Sequence, residues 1–235
     1  MYLVPQTGAF VARQKLTPAR AAALASVGRV VVIQVEWQHS RLPQRSADSL
    51  RAETTAARAA GLEVWWWAWV APTRAPEVGR RPRGPRALEQ RLRDILTEVR
   101  APDGVIVDAE VGGGWRPRRL AELPEFAGAV RAAGLQIAGL TSHARIAPSW
   151  SAEVFNFGAP QLYGGAPLTP AGVREALATW EATSCLWPVL GCANSTAEEM
   201  RGDRAALAEL GVPGVLWWTA RQLAADPKKR EAART

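Results

Sequence analysis

The chain has 235 residues, 48% of them hydrophobic and 22% charged, with a formal net charge of +7. That composition excludes a low-complexity or charge-driven disordered chain and leaves room for one large core. No apolar run approaches the ~20 residues of a membrane span, and the basic balance favours anionic partners without choosing among nucleic acid, acidic lipid and anionic polymer.

Taken in chain order, short apolar runs alternate with Ala/Leu/Arg-rich stretches. Tyr2–Pro5 reads as a strand, and Thr17–Val27 as a helix opened by Thr17-Pro18. Val30–Glu36 is the second strand and Ala47–Ala60 the second helix. Glu63–Val70 is a strand carrying Trp65, Trp66, Trp67 and Trp69. The basic, Pro-rich loop Arg74–Pro85 follows and reads as the most mobile segment. Arg86–Val99 is helical, Gly104–Glu110 a strand, Leu120–Ala133 a helix and Gln136–Ser142 a strand. Ile146–Gly158 reads as irregular. Gln161–Tyr163 is the sixth strand and Pro170–Thr183 a helix begun at Thr169. Leu186–Ala193 is a strand, and Thr196–Leu210 a helix capped through Ser195-Thr196-Ala-Glu198. Gly214–Thr219 is the last strand, with a short helix near Arg221–Ala225. Helices stop at Gly28, Gly61, Gly134 and Gly211, each just before a strand.

About eight strand–helix units in one chain predict an α/β fold: a single (β/α)8 barrel spanning 1–235. An open doubly wound sheet is the rival. It lacks support from a glycine fingerprint after the first strand or from a phosphate-binding loop motif. Cys185 and Cys192 lie too far apart on an extended segment to bond, so both read as free thiols suited to a reducing compartment. The N-terminus shows no basic segment followed by an apolar one, so the chain is expected to be cytoplasmic as encoded.

In a barrel, side chains that do chemistry project from the C-terminal ends of strands. The fourth strand ends in Asp108-Ala109-Glu110. Strand side chains alternate, so Ile106, Asp108 and Glu110 share one face, opposite Val105, Val107 and Ala109. Two acids at the mouth of a buried strand are costly unless something uses them. Paired carboxylates are the chemistry of glycoside hydrolysis. On the second strand, Gln34 and Glu36 share the face opposite Val31, Ile33 and Val35, which reads as pointing into the barrel. Further candidates at strand ends are Gln161, Tyr163 and Asn194. Trp69, Trp115 and Trp218 are candidates to line the mouth, where indole faces stack on sugar rings. Each also has a plainer reading, an acid in an ion pair or an indole in the core. His39 and His143 lack metal-ligand spacing, so no metal and no cofactor is expected. Cys192 has no recognisable base beside it.

Asp103-Gly104-Val105-Ile106-Val107-Asp108-Ala109-Glu110 resembles the D-G-x-D-x-D-x-E motif on strand four of family 18 chitinases and endo-β-N-acetylglucosaminidases, with Ile106 in place of the middle Asp. The Asp-x-Glu is also similar to that of family 25 muramidases, whose acidic first-strand end has no counterpart in Tyr2–Gly8. Gln161-Leu162-Tyr163 resembles the strand-six M-x-Y-[DN] segment, and Trp218 the tryptophan that floors the sugar site.

The resemblance implies a retaining, endo-acting glycosidase with substrate assistance. Glu110 would be the general acid. Asp108 would orient the 2-acetamido group, and Tyr163 would bond its carbonyl. Glu36, Trp69, Trp115, Gln161, Asn194 and Trp218 would bind substrate. The substrate expected is an N-acetylhexosamine polymer, bacterial peptidoglycan first and chitin-type second. Such a chain would meet wall polymer only after release by a route other than an export signal. Two alternatives stay open. One is a catalytically inactive glycan-binding barrel, which the loss at Ile106 favours. The other is unrelated chemistry pairing Glu36 with Glu110, with a divalent ion. Nucleic-acid binding is weaker, since the arginines are spread along helices rather than grouped with aromatics. The oligomeric state is not read.

Overall fold

The computed structural model describes residues 7–12, 14–38, 44–73, 82–110, 114–143, 154–163, 168–178, 180, 186–212 and 214–234. Eight parallel strands close into a barrel in sequence order. They are β1 (Gly8–Val11), β2 (Val30–Trp37), β3 (Glu63–Trp69), β4 (Gly104–Asp108), β5 (Ala138–His143), β6 (Phe157–Leu162), β7 (Val189–Gly191) and β8 (Leu216–Trp218). Around them run α1 (Pro18–Ala25), α2 (Ala47–Ala59), α3 (Pro85–Leu96), α4 (Leu123–Ala132), α5 (Pro170–Ala178), α6 (Ala197–Glu209), α7 (Ala220–Ala225) and α8 (Pro227–Arg234). A 3-10 turn, Pro117–Glu122, leads into α4. The (β/α)8 reading holds and the open sheet does not.

The expected first strand, Tyr2–Pro5, lies outside the described residues; the barrel's first strand is Gly8–Val11. Its apolar run is only four residues long and opens on Gly-Ala, which hides it from a periodicity reading. The region read as irregular contributes Phe157 onward to β6. Cys185 and most of the Arg74–Pro85 loop also fall outside the described residues. The helix stops fall at Gly61, Gly134 and Gly211, all at positive φ; at Gly28, which also lies between helix and strand, the glycine instead lets the Thr7 carbonyl approach, since a Cβ there would lie 1.9 Å from it. The cap of α6 sits one residue later than expected. Thr196 Oγ1 accepts from Glu199 N–H while Glu199 Oε2 accepts from Thr196 N–H, a reciprocal box that satisfies two orphan donors.

What fills the lumen is aromatic. Trp65, Trp67 and Trp69 alternate inward along β3, while Trp66 faces the helices within the outer core. Trp65 meets Phe157 and Trp187 edge-on at 5.4 and 5.3 Å. One layer up, Trp67 meets Phe10, Trp37 and Trp218 at 5.7, 5.6 and 5.1 Å. Trp37 and Trp69 cross at 4.6 Å. These are the edge-to-face geometries that aromatic quadrupoles favour. Rings of this size fit only because neighbouring strands give way. Gly104 pairs with Trp65, and a Cβ there would lie 2.4 Å from the indole.

Gly104→Ala is therefore expected to lower unfolding free energy by about 1–3 kcal/mol through overpacking. Gly128→Ala, on α4 with open space around it, is expected to raise it by up to about 1 kcal/mol. Urea titration of both variants checks the pair; equal effects would refute a tightly filled lumen.

Candidate active site

β4 carries the acids upward from an apolar base. At its lower end Asp103 Oδ2 accepts from Val64 N–H at 2.7 Å and lies 3.4 Å from Arg58. The leading Asp-Gly of the motif is thus structural: Asp103 ties β4 to β3, and Gly104 makes room for Trp65. At the upper end Asp108 is only 2% exposed. Its Oδ2 accepts from Trp67 Nε1 at 2.9 Å, and its Oδ1 from Gln161 Nε2 at 3.1 Å. The same Gln161 nitrogen donates to Glu110 Oε1 at 3.1 Å. One amide therefore bridges both acids, using one N–H for each. Asp108, Glu110 and Gln161 come together as the sequence implied, with Glu110 half-buried on the side of the opening.

Tyr163 and Trp218 form the adjoining wall. Their rings lie parallel, 6.3 Å apart and 10° from coplanar. Gly191 on β7 leaves the space that Tyr163 occupies, since a Cβ there would meet Tyr163 Cβ at 2.8 Å. Trp218 is fixed from behind by Cys192 N–H on its carbonyl at 2.7 Å, and the Trp218–Thr219 peptide is cis. Trp69 reaches the upper lumen, 9% exposed. Asn194 is exposed on the loop after β7.

Two candidates do not join this group. Glu36 was read as facing inward with Gln34. A register shift between Gln34 and Glu36 changes the phase of β2, so that Glu36 pairs with outward Ala68 and Trp37 takes the inward place beside Trp69. There Gln44 Nε2 sits 2.8 Å from both Glu36 oxygens, with Arg91 of α3 at 3.7 Å. Trp115 was read as lining the mouth. Instead it is fully buried against Phe126 of α4, with its N–H on the Val70 carbonyl at 2.9 Å. The sequence reading also missed Trp67 as the donor to Asp108. The available signal was its place on the inward face of the strand next to β4.

Burial, then the neighbouring Glu110, push the Asp108 carboxyl well above its usual range, while the bonds from Trp67 and Gln161 oppose the shift. Burial and then the charges of Asp108 and Glu110 push the Tyr163 hydroxyl up, so it stays a donor beside the acids. Burial pushes the Cys192 thiol up to about 12, which leaves it protonated and unreactive at neutral pH. Among the described residues, no three His, Cys, Asp or Glu side chains converge to hold a metal ion, and no helix is long and apolar enough to cross a membrane.

No protein-family model matches the chain, and no curated protein matches it significantly. Solved structures do match in fold. A family 113 β-1,4-mannanase superposes with TM-score 0.65 over 99% of this chain and 95% of its own, at 12% identity. The spore cortex-lytic enzyme SleL of Bacillus megaterium superposes with TM-score 0.62 over 97% and 73%, at 11% identity. A β-mannanase of Thermomonospora fusca gives TM-score 0.60 over 92% and 78%, at 12% identity. At such identities the likeness is one of fold: the barrel is shared with glycoside hydrolases, without singling out families 18 or 25.

A pH prediction follows from Asp108. Its folded pKa lies above the unfolded value, so the folded protein keeps a proton over a range where the unfolded chain has lost it. Its contribution to stability is fully present below the unfolded pKa and is lost as pH rises toward the folded one. Asp108→Asn should therefore gain stability relative to the parent as pH rises from about 4 to about 7. Urea unfolding of both proteins at the two pH values reads this difference. A parent protein that gains on the variant over that range would refute the raised pKa.

Proposed function

We propose that this chain is a retaining, endo-acting glycosidase of an N-acetylhexosamine polymer, with peptidoglycan first and chitin-type chains second. The observation that carries this reading is the Asp108–Gln161–Glu110 bridge at the barrel mouth, beneath the Tyr163–Trp218 wall. Glu110, half-buried and open toward the mouth, is the general acid that protonates the departing glycosidic oxygen. Burial and the neighbouring Glu110 push the Asp108 carboxyl above its usual range, so the pair retains a proton where ordinary carboxylates have lost theirs. The Tyr163 hydroxyl donates to the carbonyl of a 2-acetamido group, which attacks the anomeric carbon. Trp218 presents its half-buried indole to the sugar face.

A second reading, a glycan-binding barrel without turnover, is favoured by one observation. Both Asp108 oxygens are occupied in an almost closed site, so an acetamido N–H reaches that carboxylate only if Gln161 turns away.

Glu110→Gln keeps the shape and removes the transferable proton. It is expected to cut release of reducing ends from peptidoglycan or chitin oligomers by ~10²–10⁴-fold while the protein stays folded. Glu36→Gln should change turnover little, because that carboxylate is engaged with Gln44 and Arg91 on the outer face. Equal losses in the two variants would instead make Glu36 a catalytic partner. A parent protein that releases no reducing ends at any pH from mildly acidic to mildly basic would overturn the glycosidase reading and favour the second.

A further inference from the structure

A cavity at the C-terminal ends of the strands is lined by none of Asp108, Glu110, Gln161 and Tyr163. It lies between the C-terminal ends of β1 and β8, the first turn of α7 and the segment entering α1, with a volume of about 340 Å³. Its lining includes Lys15, Arg20 and Arg221, and no carboxylate among the described residues. Trp37 and Trp218 form its inner wall. Both indoles touch Trp67, whose N–H is bonded to Asp108. The Trp67 ring thus links the inner wall of the cavity to Asp108.

The cavity is built rather than incidental. Arg45 reaches under the segment after β1 and donates to the carbonyls of Val11, Ala12 and Gln14. It also pairs with Glu53, which accepts from Leu16 N–H at 2.9 Å. This buried pair, 11% and 2% exposed, fixes the wall before any ligand arrives. Arg20 Nη1 donates to the Lys15 carbonyl at 2.8 Å, which orients that guanidinium. Gln14 lines the cavity, and its Oε1 is sealed from solvent without a hydrogen-bond partner among the described residues. A buried acceptor in that state is stabilised by any ligand that brings a donor.

We propose that this cavity is a subsite for a carboxylate-bearing sugar unit next to the cleaved bond. The carboxylate sits among Lys15, Arg20 and Arg221, and a hydroxyl or amide N–H of the same unit donates to Gln14 Oε1. The polymer rests on the glycosidase reading; the charge does not. A guanidinium gains most from a carboxylate it can grip with two N–H groups. A neutral chitin-type chain would bring no anion to these three cations. The cavity therefore favours an acidic glycan over a neutral one.

The test uses the whole chain carrying Glu110→Gln, so that ligands survive. Three tetrasaccharides are titrated by calorimetry at low salt. One is neutral, all N-acetylglucosamine. The second alternates N-acetylglucosamine with N-acetylmuramic acid, whose carboxylate is on a lactyl ether. The third alternates N-acetylglucosamine with glucuronic acid. At least one acidic tetrasaccharide should bind about tenfold tighter than the neutral one, the value of one charge-assisted contact set. Whichever does so identifies the source of the carboxylate.

Lys15→Gln and Arg221→Gln, both at exposed positions, should each cut that affinity ratio severalfold, and Arg221→Glu should abolish it. Equal affinities, a ratio insensitive to these changes, or no binding of any tetrasaccharide overturns the subsite. Turnover that depends on Glu110 without carboxylate preference overturns the subsite alone. Carboxylate preference in a protein without turnover overturns the glycosidase reading alone.

Discussion

The hydrogen bond from Trp67 to Asp108 joins the fold to the chemistry. Trp67 is the middle ring of the column that fills the barrel, gripped by Phe10, Trp37 and Trp218. A ring held on several sides cannot tilt, so its N–H is a fixed donor 2.9 Å from Asp108. Donors locked by packing are what preorganise a site. The same packing buries Asp108, and burial is the largest cause of its raised pKa. Here core and site are one set of side chains: whatever loosens the indole column moves the acid.

The outer layer shows how a charged residue can look functional and be structural. Glu36 and Glu53 are both almost fully buried carboxylates. Each is met by an arginine from another segment, Arg91 of α3 and Arg45 ahead of α2. Such pairs are weak arguments for net stability, because desolvation offsets attraction, but breaking one is costly. Their clearer role is positional. Arg91 also donates to the carbonyls of Val35 and Arg45, and Arg45 to the segment after β1. A chain of guanidinium–carbonyl contacts thus runs from α3 around to the rim of the barrel, setting the loop that walls the side cavity.

The barrel was legible because its signals are local and repeated: apolar runs of strand length, capped Ala-rich helices, and glycine stops at Gly61, Gly134 and Gly211. The acid pair was legible because β4 is regular, and a period of two puts Ile106, Asp108 and Glu110 on one face. Glu36 was misplaced because one register shift reverses every side chain beyond it, and a shift leaves no mark in residue type. Trp115 was misplaced because it follows a strand end without belonging to a strand, and its direction is set by Phe126 and the Val70 carbonyl. β1 was misplaced because four residues beginning Gly-Ala carry almost no periodic signal. Gln161 was named as a substrate-binding residue, not as a bridge between the acids. That one amide would span both acids depends on the distance between β4 and β6 across β5, which no local pattern encodes.

Ile106 brings these points together. It lies one inward step below Asp108, fully buried and paired with Trp67 in the β3–β4 ladder. A carboxylate there would sit against indole faces, below the reach of the Gln161 bridge as it stands, and would compete with Asp108 for a proton. With isoleucine in that place, Asp108 becomes the deepest acid on the strand. It has hydrocarbon beneath it and Glu110 above it, and both influences act in the same direction on its pKa. Gln161 braces the pair from the side, a fixed donor that keeps the two acids apart yet linked. The site is thus a two-acid arrangement braced by a neutral amide, and its proton inventory is set by Asp108 and Glu110.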